Sequence, residues 1–202
     1  MLKSNVSWST NTDSYTQGKE AAKKAVVDLI QTKVAFLFTS VDCNVSKVLE
    51  GAKAELGTAP IIGCTSSAGI ITPDGFISSE NGFTGILALG DPELTVGVAS
   101  SPKKEEARLT GQMVAKEAMK KAGRTDSPAY FYMVASPAEE EDYIKGIEDV
   151  IGRVPIFGGS AADNTVEGKW SIYTNDQVFA DGVAVAFFYT EKKMSNVYTG
   201  AY

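Results

Sequence analysis

The amino-acid sequence predicts an α/β fold made of internally duplicated α-β-α-β-β-β units, with mixed sheets packed into one compact domain. Two observations lead to this prediction. Apolar residues at helical spacing alternate with short continuous apolar runs, a pattern typical of helices that cover buried strands. The same succession of segments occurs twice in the 202 residues, a length that allows a sizeable core.

The duplication is visible as an internal repeat of small and apolar residues. A shift of 95 residues aligns 34–64 with the second half without a gap. Shifts of 93 and 97 align Gly18 with Gly111 upstream and Gly85 with Gly182 downstream. The identical pairs in the ungapped part are Phe36/Phe131, Gly51/Gly146, Gly57/Gly152, Pro60/Pro155, Ile61/Ile156 and Gly63/Gly158.

In the first half, helical spacing begins at residue 17 and gives way to a continuous apolar run at 34–40, as expected of a strand covered on both faces. Gly57 is a plausible stop for the helix that follows. The predicted elements are helix 17–32, strand 34–40, helix 44–56, strand 60–64, a polar glycine-containing loop 65–81, and strands 83–90 and 93–100.

In the second half, Ser136 and Glu139 form a capping box around Pro137, which predicts the start of a helix. The predicted elements are helix 104–122, strand 129–135, helix 138–151, strand 155–159, loop 160–177, and strands 178–189 and 194–201.

These elements divide the chain into an N-terminal arm and one duplicated domain. The arm covers 1–16 and the domain covers 17–202. Within the domain, repeat one spans 17–101 and repeat two spans 104–202.

The composition excludes several classes of function. The chain has no histidine, which removes Ser-His-Asp and Cys-His catalysis, His-ligated zinc and proximal-His haem. Lys and Arg number 19 against 25 Asp and Glu, for a net charge of −6. We therefore expect no nucleic-acid partner and no polybasic membrane patch.

Metal binding and export are also not indicated. Two cysteines, Cys43 and Cys64, are too few for a disulfide framework or a four-thiolate site. The acidic run 139–142 points around a predicted helix rather than towards one centre, so we expect no metal and no cofactor. The N-terminus lacks the apolar stretch of a signal peptide, and the run Val183–Tyr189 is far shorter than the roughly 20 residues of a membrane span. We expect a cytoplasmic protein with no membrane segment in this chain.

Two segments at corresponding places in the repeat are the best candidates for a ligand site. Each follows a predicted strand, and the carboxyl ends of strands in α/β sheets commonly open onto a ligand crevice. Glycines there let a ligand approach the backbone, and hydroxyls can donate or accept hydrogen bonds. Small residues after a strand also mark tight packing without a ligand, so both interpretations stay open. The candidates are Gly63, Cys64, Thr65, Ser66, Ser67, Gly158, Gly159, Ser160, Asp163 and Asn164.

These segments resemble a known family. Gly63-Cys64-Thr65-Ser66-Ser67-Ala68-Gly69 resembles the Gly-Cys-Ser-x-x-Gly-type signature of the FIST N domain. The segment 158–163 resembles its second glycine motif, and 179–185 its late aspartate–glycine strand. The resemblance covers the chain from about Lys33 to the end.

The resemblance implies a sensory input domain of a signal-transduction protein that binds small ligands such as amino acids. We expect this ligand to be a small polar metabolite, bound in a pocket near the two glycine-containing loops. It also implies an output domain or signalling partner outside this chain. Some family members are associated with haem, but without histidine that role would fall to a cysteine or tyrosine, and we do not expect it.

For an amino-acid ligand, Asp163 is the candidate partner of the ammonium group, with Thr65, Ser66 and Ser67 around the carboxylate. The alternative is that Asp163 and Asn164 only close a turn. Ser40, Asp42 and Ser136 end neighbouring strands, where they line the same crevice or cap the following helices.

Two other classes of function remain as alternatives. Cys64 is the candidate nucleophile of an enzyme that acts on a small acyl or amino-acid-like substrate. However, its repeat partner is Gly159 and the chain has no histidine to act as a base, so a small buried thiol is the simpler interpretation. An interaction module without a ligand pocket is the third alternative.

Overall fold

The computed structural model describes residues 1–195 and 197. Its helices are α1 (Ser14–Ala25), α2 (Val45–Leu56), α3 (Ala107–Ala122) and α4 (Glu140–Ile151). Its strands are β1 (Lys3–Ser9), β2 (Thr32–Thr39), β3 (Ile61–Thr65), β4 (Ile70–Thr72), β5 (Gly75–Ile77), β6 (Thr84–Gly90), β7 (Thr95–Pro102), β8 (Tyr130–Ala135), β9 (Ile156–Ser160), β10 (Ile172–Thr174), β11 (Val178–Phe179) and β12 (Gly182–Tyr189).

The strands form two mixed sheets and one separate hairpin. The first sheet has the order β1-β6-β2-β3-β10-β11, and the second has the order β7-β12-β8-β9. In each sheet one neighbouring pair is parallel, β2 with β3 and β8 with β9. Within the described part of the chain, strands β4 and β5 pair only with each other. The predicted α/β class with mixed sheets is therefore confirmed.

The layers follow the order helix, sheet, sheet, helix. Helices α1 and α2 pack on the outer face of the first sheet, with Leu37 in their core, and α3 and α4 pack likewise on the second sheet. The inner faces of the two sheets meet in a third core, where the rings of Phe36 and Tyr132 lie edge to face with centroids 4.8 Å apart. Strands buried on both faces explain the continuous apolar runs of the sequence.

The topology repeats between the halves, but the repeated unit begins with a strand. The order β1-β6-β2-β3 in the first sheet matches β7-β12-β8-β9 in the second. Residues 1–16, expected as an arm, contain β1 and the start of α1. The strand predicted at 93–100 is β7, which pairs with β12 of the second half. Propensity reveals individual strands, whereas the partner of a strand depends on tertiary packing.

Repeated glycines mark the places where paired helices touch. A Cβ on Gly18 would lie 2.1 Å from the carbonyl oxygen of Val48, and a Cβ on Gly51 would lie 1.9 Å from that of Tyr15. Gly111 and Gly146 make the equivalent close contacts between α3 and α4. The identities at these positions thus preserve two equivalent backbone-to-backbone helix contacts.

The sequence alignment of the repeats is wrong by one residue within the first parallel strand. The amide of Ala35 donates to Pro60 O at 2.8 Å, and the equivalent bond in the second half is from Phe131 to Pro155 O at 3.1 Å. Ala35, rather than Phe36, therefore corresponds to Phe131. Because side chains alternate along a strand, Phe36 lies between the sheets while Phe131 faces the helices.

Some other expectations differ at the level of detail, and one predicted strand lies mostly outside the described residues. Helix α4 begins at Glu140, and the Ser136 hydroxyl accepts a hydrogen bond from the Gly182 amide at 3.2 Å instead of capping the helix. The loops predicted at 65–81 and 160–177 contain the short strands β4, β5 and β10. The strand predicted at 194–201 lies outside the described residues apart from 194, 195 and 197. In the part of the chain that the structure describes, every helix is too short or too polar to cross a membrane.

Candidate functional site

The two predicted glycine loops meet at the carboxyl ends of the parallel strands. The amide of Ala162 donates to Thr65 O at 3.0 Å, and the amide of Ala68 donates to the Asn164 side-chain oxygen at 3.0 Å. The Asn164 amide group in turn donates to Asp42 Oδ2 at 3.0 Å. Residues from both halves therefore form one continuous loop cluster beside the first sheet.

The hydroxyl residues of the first loop differ in how open they are. Thr65 is buried, and its Oγ1 accepts a hydrogen bond from the Ser171 amide at 2.9 Å. Ser66 is half-buried, and its hydroxyl donates to Gly69 O at 2.9 Å. Ser67 is exposed. Of the three, only Ser66 lies against an apolar cleft.

Asp163 organises its own loop. The carboxylate is 4% exposed and accepts hydrogen bonds from the amides of Thr165, Glu167 and Lys169, the last at 2.7 Å. Burial alone raises the pKa of Asp163, but these backbone hydrogen bonds outweigh it and hold the pKa below its usual value. The structure thus uses this carboxylate in the turn, which is the alternative that the sequence left open.

Gly63 and Cys64 lie inside the first sheet. A Cβ on Gly63 would lie 1.7 Å from Leu37 O, so only glycine fits between this strand and its neighbour. Cys64 is 4% exposed between the two sheets, and burial raises the pKa of its thiol to about 12. Because the thiolate is the reactive form, this environment makes Cys64 a poor nucleophile.

Gly158, Gly159 and Ser160 do not join the loop cluster. They lie on the exposed edge strand β9, beside a groove of about 270 Å³ that faces α4. The Ser160 hydroxyl donates to the Glu140 carboxylate at the start of α4. The structure therefore divides the second glycine motif: Gly158, Gly159 and Ser160 lie in β9, and the later part that includes Asp163 joins the loop cluster.

A cleft of about 450 Å³ lies between hairpin β4–β5 and the inner face of the first sheet. Its walls are mostly apolar, and Ser66 stands where the cleft meets the loop cluster. The cleft could not be predicted from the sequence, because its walls come from the separate strands β1, β2, β4 and β6. The one available signal was the apolar pair Ile70-Ile71 inside a predicted polar loop. The lining side chains include Val6, Phe38, Ser66, Ile70, Thr72 and Leu87.

A larger hollow of about 520 Å³ lies elsewhere, at the amino ends of β2 and β3. Lys33, Glu55 and Thr58 are among the residues around it, and it is more open to solvent than the cleft. Apolar side chains line part of it, but most of its exposed surface is polar, unlike the mostly apolar surface typical of a small-molecule site. The cleft beside Ser66 is therefore the better candidate.

The model of the FIST N domain family matches residues 33–202. The chain belongs to the FIST N domain family. Membership implies a sensory domain of a signal-transduction protein. The match begins in β2 and includes both glycine loops, which confirms the resemblance seen in the sequence.

Two solved structures are similar to this FIST N domain, both at low sequence identity. A crystal structure of cyanuric acid hydrolase from A. caulinodans is similar to 93% of this chain and 67% of its own, at 11% identity and a TM-score of 0.48. A second cyanuric acid hydrolase structure, whose title refers to structural concatenation, covers 93% of this chain and 68% of its own at 11% identity and a TM-score of 0.37. No curated protein matches the sequence. Likenesses this distant carry no information about function.

Proposed function

We propose that this FIST N domain is the ligand-sensing input of a signal-transduction protein, and that it recognises a small metabolite in the cleft beside the first glycine loop. The observation that carries the proposal is the position of the cleft. It lies at the carboxyl ends of the parallel strands, where α/β sheets commonly bind ligands, and next to the loop cluster that joins the two halves.

The walls favour a ligand with an apolar body and one polar group. Phe38, Leu87 and Val6 supply apolar surface, while the half-buried Ser66 hydroxyl can accept a hydrogen bond at the inner end. Amino acids with apolar side chains, whose ammonium group can donate this hydrogen bond, are suitable candidates. Asp163 then acts indirectly by shaping the loop, since its oxygens already accept backbone hydrogen bonds.

Hairpin β4–β5 is the element best placed to report binding. It forms one wall of the cleft and pairs with no other strand among the described residues. A ligand that prefers one position of the hairpin shifts the population towards that position. An output domain or signalling partner outside this chain would read the change.

Binding without turnover fits the chemistry better than catalysis does. The sequence contains no histidine, and burial raises the pKa of the Cys64 thiol to about 12. The cleft itself is lined by no cysteine, lysine or carboxylate. These features support a sensor over a Cys64-dependent enzyme.

A thermal-shift screen with a cleft-filling variant tests the proposal. Val6→Trp introduces an indole into the cleft from a side chain that is 43% exposed, so the fold tolerates the change. Met113→Trp on α3 is the matched control, since Met113 is also 43% exposed and lies away from the cleft. Apolar amino acids are screened first.

The expected result is a ligand that raises the melting temperature of the wild type and of Met113→Trp as binding linkage requires, but not that of Val6→Trp. The same ligand should be recovered chemically unchanged. A ligand that stabilises Val6→Trp as strongly as the wild type, or one that is consumed, would contradict the proposal.

A further inference from the structure

The two halves carry equivalent hairpins after their third strands. In β4–β5, Ile70 pairs with Ile77 and Thr72 pairs with Gly75. In β10–β11, Ile172 pairs with Phe179, and the Thr174 amide donates to Gln177 O at 3.0 Å. The turns have the same length, so Ile70-Ile71-Thr72 corresponds to Ile172-Tyr173-Thr174.

The hairpin of the second half completes the sheet of the first half. Strand β10 lies antiparallel to β3, with Tyr173 opposite Gly63 and Ile172 opposite Cys64. The Tyr173 ring occupies the space that a side chain at Gly63 would need, because a Cβ there would lie 2.9 Å from Tyr173 Cε2. The Tyr173 hydroxyl donates to Cys64 O at 2.8 Å. Tyr173 is thereby completely buried.

The corresponding edge of the second sheet is open. Strand β9 is the equivalent of β3, and among the described residues no strand pairs with its free side. The groove of about 270 Å³ over Gly158 and Gly159 corresponds to the space that Tyr173 fills over Gly63. Strand β9 contains no charged residue or proline, the usual protection of an edge strand.

The hairpin of the first half, β4–β5, likewise has no neighbouring strand in either sheet among the described residues. Ile71, which corresponds to Tyr173, is 89% exposed, and its cross-strand partner Phe76 is 64% exposed. Ile70 holds the hairpin on its own sheet, since its side chain packs over Gly85 of β6. Strand β10 likewise packs against β12, the equivalent of β6. Both hairpins are therefore anchored on their own halves in a similar way.

We propose that hairpin β4–β5 of one copy of this chain adds to the edge strand β9 of a second copy. The template for this contact is the pairing of β10 with β3 within one chain. By analogy, Ile71 should lie opposite Gly158, with its side chain in the groove over Gly158 and Gly159. A second copy is the occupant because, among the described residues, the donor hairpin and the acceptor edge both lack a neighbouring strand and belong to the same chain. Joining them hydrogen-bonds the free edge and buries Ile71.

The contact is heterologous, since it joins different elements of the two copies. It does not depend on a ligand in the cleft, and its failure would leave the proposed sensory function untouched. The two proposals are thus separable by experiment.

Disulfide trapping between two single variants tests the register directly. The template pairs Ile172 with Cys64, so Ile70→Cys on one copy should face Gly159→Cys on the other. A Cβ on Gly159 meets no atom within 4 Å, so Gly159→Cys should not strain the strand. The native Cys43 and Cys64 are 8% and 4% exposed, so few disulfides should form through them. Ser160→Cys is the matched control, because its side chain lies on the opposite face of β9.

Mixing Ile70→Cys with Gly159→Cys under mild oxidation should give a covalent dimer that does not form when Ile70→Cys is mixed with Ser160→Cys. Equal yields with the two partners, or no dimer with either, would overturn the proposal. The Ile70 variant must also retain the wild-type circular dichroism spectrum, since Ile70 is part of the cleft wall.

Light scattering on the unmodified chain provides the second test. The average mass should rise with protein concentration in the wild type and stay at the monomer value in Ile71→Asp. Ile30→Asp is the control, because Ile30 is 87% exposed and belongs neither to the hairpin nor to β9. A wild type that stays monomeric at every concentration, or an Ile71→Asp variant that associates like the wild type, would refute hairpin exchange.

Discussion

The glycine contact between α1 and α2 allows a quantitative prediction. A Cβ added at Gly51 would lie 1.9 Å from Tyr15 O, about 1.5 Å short of the 3.4 Å at which ordinary contact begins. The opposing atom belongs to a helix backbone and cannot rotate away. Overpacking of this kind costs about 1–3 kcal/mol, and the better helix propensity of alanine returns about 1 kcal/mol. We therefore take the upper part of the range and predict that Gly51→Ala lowers the free energy of unfolding by about 2 kcal/mol.

Urea unfolding followed by circular dichroism measures this change as a lower midpoint at an unchanged slope. Gly146→Ala, at the equivalent contact between α3 and α4, should show a similar loss, since its Cβ would lie 2.0 Å from Arg108 O. Gly159→Ala, whose Cβ meets no atom within 4 Å, is the control and should stay within about 0.5 kcal/mol of the wild type. If Gly51→Ala and Gly146→Ala are as stable as the wild type, the backbone contact is not a determinant of helix packing.

Three further predictions concern side chains of the first sheet and the loop cluster. Tyr173→Phe removes a buried hydroxyl that donates to Cys64 O at 2.8 Å, and it should lower the free energy of unfolding by about 1 kcal/mol in the same urea assay; no change would contradict the hydrogen bond. The pKa of Asp163 is depressed in the folded state, so the ionised carboxylate stabilises the fold above the pKa that Asp163 has in the unfolded chain. This contribution is lost as the pH falls through the folded-state pKa. Asp163→Asn should therefore have a lower melting temperature than the wild type at pH 7, and the difference between the two should disappear in acid. Cys64 should resist a thiol reagent at pH 8 in the native protein and react in denaturant, and rapid native labelling would show that its thiol is accessible and ionised.

Much of the fold follows from local pattern. The strand predicted at 34–40 is present as β2, and the strand predicted at 178–189 is present as two strands, β11 and β12. The helices were predicted to within a few residues at most ends, except that α1 stops at Ala25 rather than at residue 32. These elements are predictable because periodicity depends only on which side of the chain is buried.

The partners of the strands could not be predicted in the same way. Strand β1 was hidden in a polar segment because it lies at a sheet edge and alternates between buried and exposed residues. The pairing of β10 with a strand of the other half is a tertiary event, and no local signal in Ile172-Tyr173-Thr174 indicates its partner. The one-residue shift of Phe131 likewise appears only when hydrogen bonds define the register.

The candidate site was predicted in part. The two loops do meet, and Asn164 of the second donates a hydrogen bond to Asp42, which follows β2. Which side chains of the cluster can bind a ligand depends on which of them already accept hydrogen bonds from backbone amides, and the composition does not reveal those hydrogen bonds. The Asp163 carboxylate accepts hydrogen bonds from its own loop. Ser66 lines the cleft together with Ile70 of hairpin β4–β5.

Methyl NMR during a ligand titration tests the central proposal, a sensory cleft beside the first glycine loop, most directly. The proposal predicts that a stabilising metabolite shifts the methyl signals of Ile70 and Val6, which line the cleft, and leaves those of Ile30 and Leu29 at the larger hollow unchanged. Shifts confined to Ile30 and Leu29 would place the ligand at the amino ends of the strands and contradict it.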